Sequence, residues 1–145
     1  MARERVMKKE ADVRKYINKL LDQHGWFHWN VVQGPWSASG VVDKHAIRNN
    51  VYIAIEAKFG SNKPTLLQKA FLQTIAHHGG FAFVVNEKNI VQFALWLETF
   101  DAAVQHAAQN KGRPSDEQGA IMLDCIKALT EDIVTGKQLQ LEDAQ

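Results

Sequence analysis

The stretch Val41-Val42-Asp43-Lys44-His45-Ala46-Ile47-Arg48-Asn49-Asn50-Val51-Tyr52-Ile53-Ala54-Ile55-Glu56-Ala57-Lys58 decides how this 145-residue chain folds. Two runs rich in β-branched and apolar residues flank Arg48-Asn49-Asn50, and asparagine tolerates the left-handed backbone that tight hairpin turns demand. The spacing predicts a β-hairpin with strands over 41–47 and 51–58. Side chains alternate along a strand, so Glu56 and Lys58 share one face, while Val51, Ile53 and Ile55 point the other way into a core. A two-residue loop at Asn49-Asn50 pairs Arg48 with Val51 and, carried back along the strands, Asp43 with Glu56. A three-residue loop with a bulge would shift that register. Directly opposed residues have Cβ atoms about 4.5–5.5 Å apart, and two carboxylates at that distance repel. Something positive is therefore expected between them. A hard divalent cation with oxygen ligands, Mg2+ or Mn2+, suits the pair, and Lys58 brings a further positive charge.

Upstream, residues 4–24 read as an amphipathic helix, with Val6, Val13, Ile17, Leu20, Leu21 and His24 at three- and four-residue steps and Gly25 as a stop. Glu10 falls on the same stripe. A carboxylate on a buried stripe needs a partner, which makes Glu10 a further candidate ligand. The alternative places it at the edge of the stripe, paired with Arg14 one turn on. Residues 26–32 read as a strand and 33–40 as a loop.

Downstream, 59–63 form a loop and Pro64-Thr65 opens a helix that Gly79-Gly80 closes after His78. Residues 81–85 form a short apolar strand that could lie inside a sheet. Residues 90–109 read as one or two helices, with a strand at 91–97 as the alternative. Asn110 to Pro114 breaks the pattern, and Ser115 with Gln118 resembles a capping box that opens a last helix to about 134. Helix, three strands, helix, strand and helices together fit one α/β domain with a mixed sheet flanked by helices.

Composition sets the outer bounds. With 46% hydrophobic and 23% charged residues the chain can bury a real core. No apolar run reaches the roughly 20 residues of a membrane span, and the charged N-terminus lacks a signal-peptide stretch, so a cytoplasmic location is the default expectation. One cysteine, Cys125, excludes an internal disulfide and a cysteine zinc cage. Arg3, Arg5, Lys8, Lys9, Arg14, Lys15 and Lys19 crowd the first nineteen residues, whereas the chain from Ser115 onward carries seven acids against two lysines. That asymmetry is compatible with a basic surface for a polyanion and equally with solvated helix faces.

Ser39-Gly40-Val41-Val42-Asp43, then Ile53-Ala54-Ile55-Glu56-Ala57-Lys58, then Pro64-Thr65-Leu66-Leu67-Gln68, resembles the PD-(D/E)XK nuclease superfamily, most closely its stand-alone VRR-NUC type, common in phages and prophages. Gly79-Gly80-Phe81 to Val85 and Glu10 on the first helix match further features of that family. The resemblance runs from about Glu10 to Asn86. Val42 stands where the superfamily often has proline. The resemblance implies a restriction-endonuclease-like fold over 1–110, with 111–145 as a helical extension. It implies an Mg2+- or Mn2+-dependent endonuclease acting on DNA as a homodimer, in the host cytoplasm if phage-encoded, with branched substrates such as four-way junctions as a refinement. Asp43 and Glu56 would bind the metal with Glu10 and the carbonyl of Ala57, and Lys58 would orient or help deprotonate the attacking water. Gln68 would position the water or Lys58, although Thr65-x-x-Gln68 is also a capping box.

Other residues point less clearly. Trp36, in the loop before Asp43, is the best candidate for stacking on a base, and Lys63 and Lys69 would suit phosphate contacts. Trp26 and Trp29 are as well explained by packing. His45 shares the face of Asp43 and could line the site, while His77-His78 suit a helix C-terminus. A nucleic-acid binder that keeps the fold without chemistry, and a structural protein docked through an acidic C-terminal helix, are the competing readings.

Overall fold

The structure is a computed structural model, and residues 6–32 and 40–109 are described. Helix α1 (Glu10–Gln23) leads into β1 (Phe27–Asn30), then the hairpin β2 (Lys44–Arg48) and β3 (Val51–Ala57). Helix α2 (Leu66–His77), β4 (Phe81–Val85) and α3 (Ile90–Gln109) follow. The four strands form one sheet in the order β1-β2-β3-β4, antiparallel from β1 to β3 and parallel between β3 and β4. This is the mixed α/β architecture that the element order predicted. The predicted last helix from Ser115 and the extension over 111–145 lie outside the described residues.

The hairpin turn is the two-residue kind. Asn49 and Asn50 both have positive φ, 50° and 64°, which is the backbone of a type I′ turn. Arg48 pairs with Val51 and Lys44 with Ile55, so the unbulged register holds along the whole of β2. Beyond it, the carbonyl of Asp43 accepts from Val31 N at 2.8 Å and extends the β1–β2 ladder.

Both faces of the sheet are covered. On one, Ala46, Ile53, Ile55, Ala57, Phe83 and Val85 pack with Val13, Ile17 and Leu21 of α1 and Phe93, Trp96, Leu97 and Phe100 of α3. On the other, Val42, Ala54 and Ala82 pack with Leu72 of α2, flanked by Tyr52, Phe71 and Ile75. A strand buried on both sides reads as a continuous apolar run, which is why β3 shows no clean polar alternation until Glu56. Trp26 lies in the first cluster, 4.8 Å from Phe100 by ring centroids, and so is a core residue. Residues 90–109 form one helix, without the alternative strand.

The first helix is shorter than 4–24. The Asp12 carboxylate accepts from the backbone amides of Lys8 and Lys9 at 2.9 and 3.2 Å, which closes the helix start at Glu10. Val6 is exposed and precedes the helix, so it does not belong to the apolar stripe. No helix among the described residues is long and apolar enough to cross a membrane.

Candidate functional site

Glu56, near the end of β3, is 2% exposed. Its Oε1 accepts from Gln68 Nε2 at 3.0 Å and lies 3.2 Å from Lys58 Nζ. Its Oε2 is buried and has no hydrogen-bond partner. An unsatisfied buried acceptor costs about 1–3 kcal/mol, and more when it is charged. Burial raises the Glu56 carboxyl above its ordinary range, and the nearby charge of Asp43 raises it further, while Lys58 pulls it down. One oxygen of the carboxylate is thus matched by Lys58 and Gln68, while the other is left without a partner.

Gln68 forms the expected capping box, and its side chain reaches Glu56 rather than Lys58. Its Oε1 accepts from Thr65 N at 2.9 Å and its own amide donates to Thr65 Oγ1 at 3.1 Å, a reciprocal capping box at the start of α2. Its remaining NH2 group reaches Glu56. The α2 terminus and the carboxylate are therefore tied by a single side chain.

Gly40 brings Asp43 to this helix. With φ of +83°, it sits where a Cβ would lie 2.5 Å from Leu67 Cβ and 2.6 Å from the Leu67 carbonyl carbon. Only glycine lets the backbone entering β2 pass so close to the first turn of α2. Asp43, three residues on, directly precedes β2, whose ladder with β3 ends at the pair Lys44 and Ile55, and its charge acts on Glu56.

Positive charge is supplied separately to the two carboxylates: Lys58 stands beside Glu56, and Arg14 beside Asp43. Arg14 on α1 bonds Glu10 Oε2 at 2.5 Å and lies 3.3 Å from Asp43 Oδ2. Glu10 is thus paired one turn along its own helix, as the alternative reading had it, and is partly exposed at the first helical position rather than buried on the stripe. Arg14 and Asp43 open onto a cleft of about 230 Å³ whose wall includes Asn18, Asn30, Lys44 and Ala57.

Two further links were not foreseen. Lys44 is 8% exposed, and burial lowers its pKa. Its Nζ donates to His28 Nδ1 at 2.9 Å, so His28 donates from Nε2 to Asp22 at 2.6 Å. Glu87 accepts the amide of Gly60 on both oxygens at 3.0 and 3.1 Å and fixes the loop that follows Lys58. The partners in these contacts lie too far apart in sequence for periodicity to reveal them.

Hard divalent cations take carboxylate and carbonyl oxygens. Asp43, Glu56 and the Ala57 carbonyl are such donors, and the orphaned Glu56 Oε2 is a buried oxygen in need of a cation. The residues present fit the chemistry of Mg2+ or Mn2+, although among the described residues no three acidic, histidine or cysteine side chains already converge as a ligand cluster.

Other candidates are placed differently. Lys63 and Lys69 are exposed, in the loop before α2 and on α2. Trp36 lies outside the described residues. His45 is 5% exposed and donates from Nε2 to the carbonyl of Val42 at 2.9 Å, which leaves Nδ1 to accept from Tyr52 Oη. Burial keeps its pKa low. It is a satisfied core imidazole rather than a residue of the site edge. His78 Nδ1 donates to the Thr74 carbonyl at the end of α2, as expected of a C-terminal cap.

No protein-family model matches the chain, and no curated protein matches it in sequence. Among solved structures, it is similar to the 1.6 Å structure of Hjc, a Holliday junction resolvase from the archaeal hyperthermophile Archaeoglobus fulgidus. The two share 20% identity with a TM-score of 0.43, over 52% of this chain and 66% of the resolvase. The match spans just under two thirds of that protein.

Proposed function

We propose that this chain is a divalent-metal-dependent endonuclease that hydrolyses DNA phosphodiester bonds. The observation that carries the reading is Glu56: a buried carboxylate held by Lys58 and Gln68, its pKa raised by burial and then by the charge of Asp43, with one oxygen left without a partner. Asp43, Glu56 and the Ala57 carbonyl are the proposed metal ligands, with Glu10 as a further carboxylate. Mg2+ or Mn2+, when bound there, lowers the pKa of water and offsets charge developing on the phosphate.

The rest of the chemistry belongs to side chains. Lys58, beside Glu56, orients or helps deprotonate the attacking water and stabilises negative charge on the phosphate. The water oxygen bonds phosphorus as the bond to the leaving sugar oxygen breaks; the water gives up a proton and the leaving oxygen takes one up from solvent. Gln68 holds one oxygen of the Glu56 carboxylate, which restrains its rotation. Lys63 and Lys69 are exposed near the start of α2, where they would contact flanking phosphates. A homodimer acting on four-way junctions is the proposed refinement, carried over from the stand-alone nucleases that the motifs between about Glu10 and Asn86 resemble.

A panel of linear duplex, single strand, flap and four-way junction, incubated with Mg2+ and Mn2+, tests the reading. The wild type cuts at least one substrate, and Glu56→Ala, verified as folded, cuts none. Salt-sensitive binding without cleavage under either metal would instead favour a non-catalytic nucleic-acid binder, a reading that draws on the pairing of Glu10 and Asp43 with Arg14.

A further inference from the structure

Arg14 bonds two carboxylates that the metal reading also needs. A guanidinium at 2.5 Å from Glu10 Oε2 and 3.3 Å from Asp43 Oδ2 uses oxygens that a cation would take, and two positive charges cannot share them without strong repulsion. The Arg14 side chain is half exposed, so it has room to move, and it borders the cleft that Lys44, Asn18 and Asn30 also line.

We infer that Arg14 is a stand-in cation: it neutralises Glu10 and Asp43 in the metal-free protein, is displaced when the metal binds, and then turns into the adjacent cleft to bind a backbone phosphate of the nucleic acid. The inference rests on the metal-dependent nuclease reading and adds to it a coupling between metal and substrate. A metal frees the guanidinium for phosphate, and phosphate in turn stabilises the state in which the carboxylates are open to metal. By linkage each ligand raises the affinity for the other. A planar guanidinium with several donors suits both roles, since carboxylate and phosphate present similar oxygen pairs. The cleft wall is mixed: beside Ile17, Val31 and Ile55 it carries Lys44 and the side-chain amides of Asn18 and Asn30, whose NH2 groups are donors a phosphate oxygen can use.

The test uses Arg14→Gln and Arg14→Lys, neither of which removes buried packing. In calorimetry without DNA, Arg14→Gln binds Mn2+ more tightly than the wild type, by up to about five-fold, because its carboxylates have lost a competitor. Salt titrations of binding to a labelled four-way junction are then run in EDTA and in Ca2+, a hard cation used as a probe, with intact DNA verified after each titration. In Ca2+ the slope of log affinity against log salt is shallower in Arg14→Gln by about one unit, the loss of one phosphate contact. In EDTA the slopes of wild type and Arg14→Gln agree, because Arg14 is then occupied by carboxylates. Arg14→Lys restores the slope in Ca2+ at least in part. Unchanged or weaker Mn2+ binding by Arg14→Gln, or equal slope differences with and without metal, overturns the inference while leaving the nuclease reading intact. Absence of Mn2+ binding in the wild type and in Arg14→Gln alike overturns both.

Discussion

Gln68 Nε2 donates to Glu56 Oε1 at 3.0 Å while Gln68 Oε1 accepts the amide of Thr65, so one side chain caps α2 and anchors the buried carboxylate of β3. The helix start and the candidate catalytic group cannot move independently.

Separating these two tasks gives the first prediction. Gln68→Ala loses both contacts and should cost about 1–3 kcal/mol of stability, from the cap and from a hydrogen bond to a charged group. Gln68→Glu keeps an acceptor for Thr65 N but places a second carboxylate against Glu56. Thermal unfolding in EDTA should show Gln68→Glu destabilised, with Mn2+ recovering part of the loss, whereas Gln68→Ala gains no more from Mn2+ than the wild type.

The ionisation of Glu56 gives a pH prediction. Its carboxyl is raised above the ordinary 4.5, first by burial and then by Asp43. A raised carboxyl pKa means that the folded state binds the proton more tightly than the unfolded state. Its contribution to stability is therefore full below the ordinary value and is lost as pH rises through the folded value. Glu56→Gln removes that dependence. In denaturant titrations in EDTA, the stability of Glu56→Gln relative to the wild type should rise from pH 4.5 toward neutrality. A relative fall would contradict the assignment.

The approach of Gly40 to α2 yields a third. Gly40→Ala places a Cβ 2.5 Å from Leu67 Cβ at a φ of +83°. The left-handed backbone alone costs about 1–2 kcal/mol for alanine, and the clash must be relieved by moving Leu67 or the chain entering β2. Either movement displaces Asp43 relative to Gln68. Cleavage should fall by more than the loss of folded protein accounts for, measured as rate per folded molecule from parallel circular dichroism.

The turn supplies a control that leaves the site alone. Asn50 has φ of 64°, and Asn-Gly is the preferred pair for this turn, so Asn50→Gly should preserve or slightly raise the unfolding temperature and preserve metal binding. Asn50→Val forces a β-branched residue into the left-handed region and should lower stability by about 1–2 kcal/mol. If Asn50→Gly abolished metal binding, the hairpin register would not be what aligns Asp43 with Glu56.

These elements differ in how legible they were. The register of β2 and β3 followed from Asn49-Asn50 because a turn with two left-handed residues leaves one pairing, and Thr65-x-x-Gln68 announced the start of α2 by the spacing of its cap. Strand β4 and the shared face of Glu56 and Lys58 were readable for the same local reason. The start of α1 was not, because Lys9 is an unusual residue before a helix and the capping carboxylate, Asp12, lies inside it. Alternation placed Ile53 and Ile55 in a core but did not show that Ala54 is buried as well, since coverage of the second face depends on where α2 docks. The bridge from Arg14 to Asp43 escaped for want of local signal. So did the contacts of Asp101 with His24 and Arg48, which fasten α3 to the end of α1 and to β2.

Titration of Mn2+ followed by electron paramagnetic resonance of the free ion tests the central claim most directly, in wild type, Asp43→Asn and Glu56→Gln at matched concentration. The account predicts stoichiometric loss of the free-ion signal with the wild type and a signal like that of buffer with either variant. Equal uptake of Mn2+ by all three proteins would contradict it.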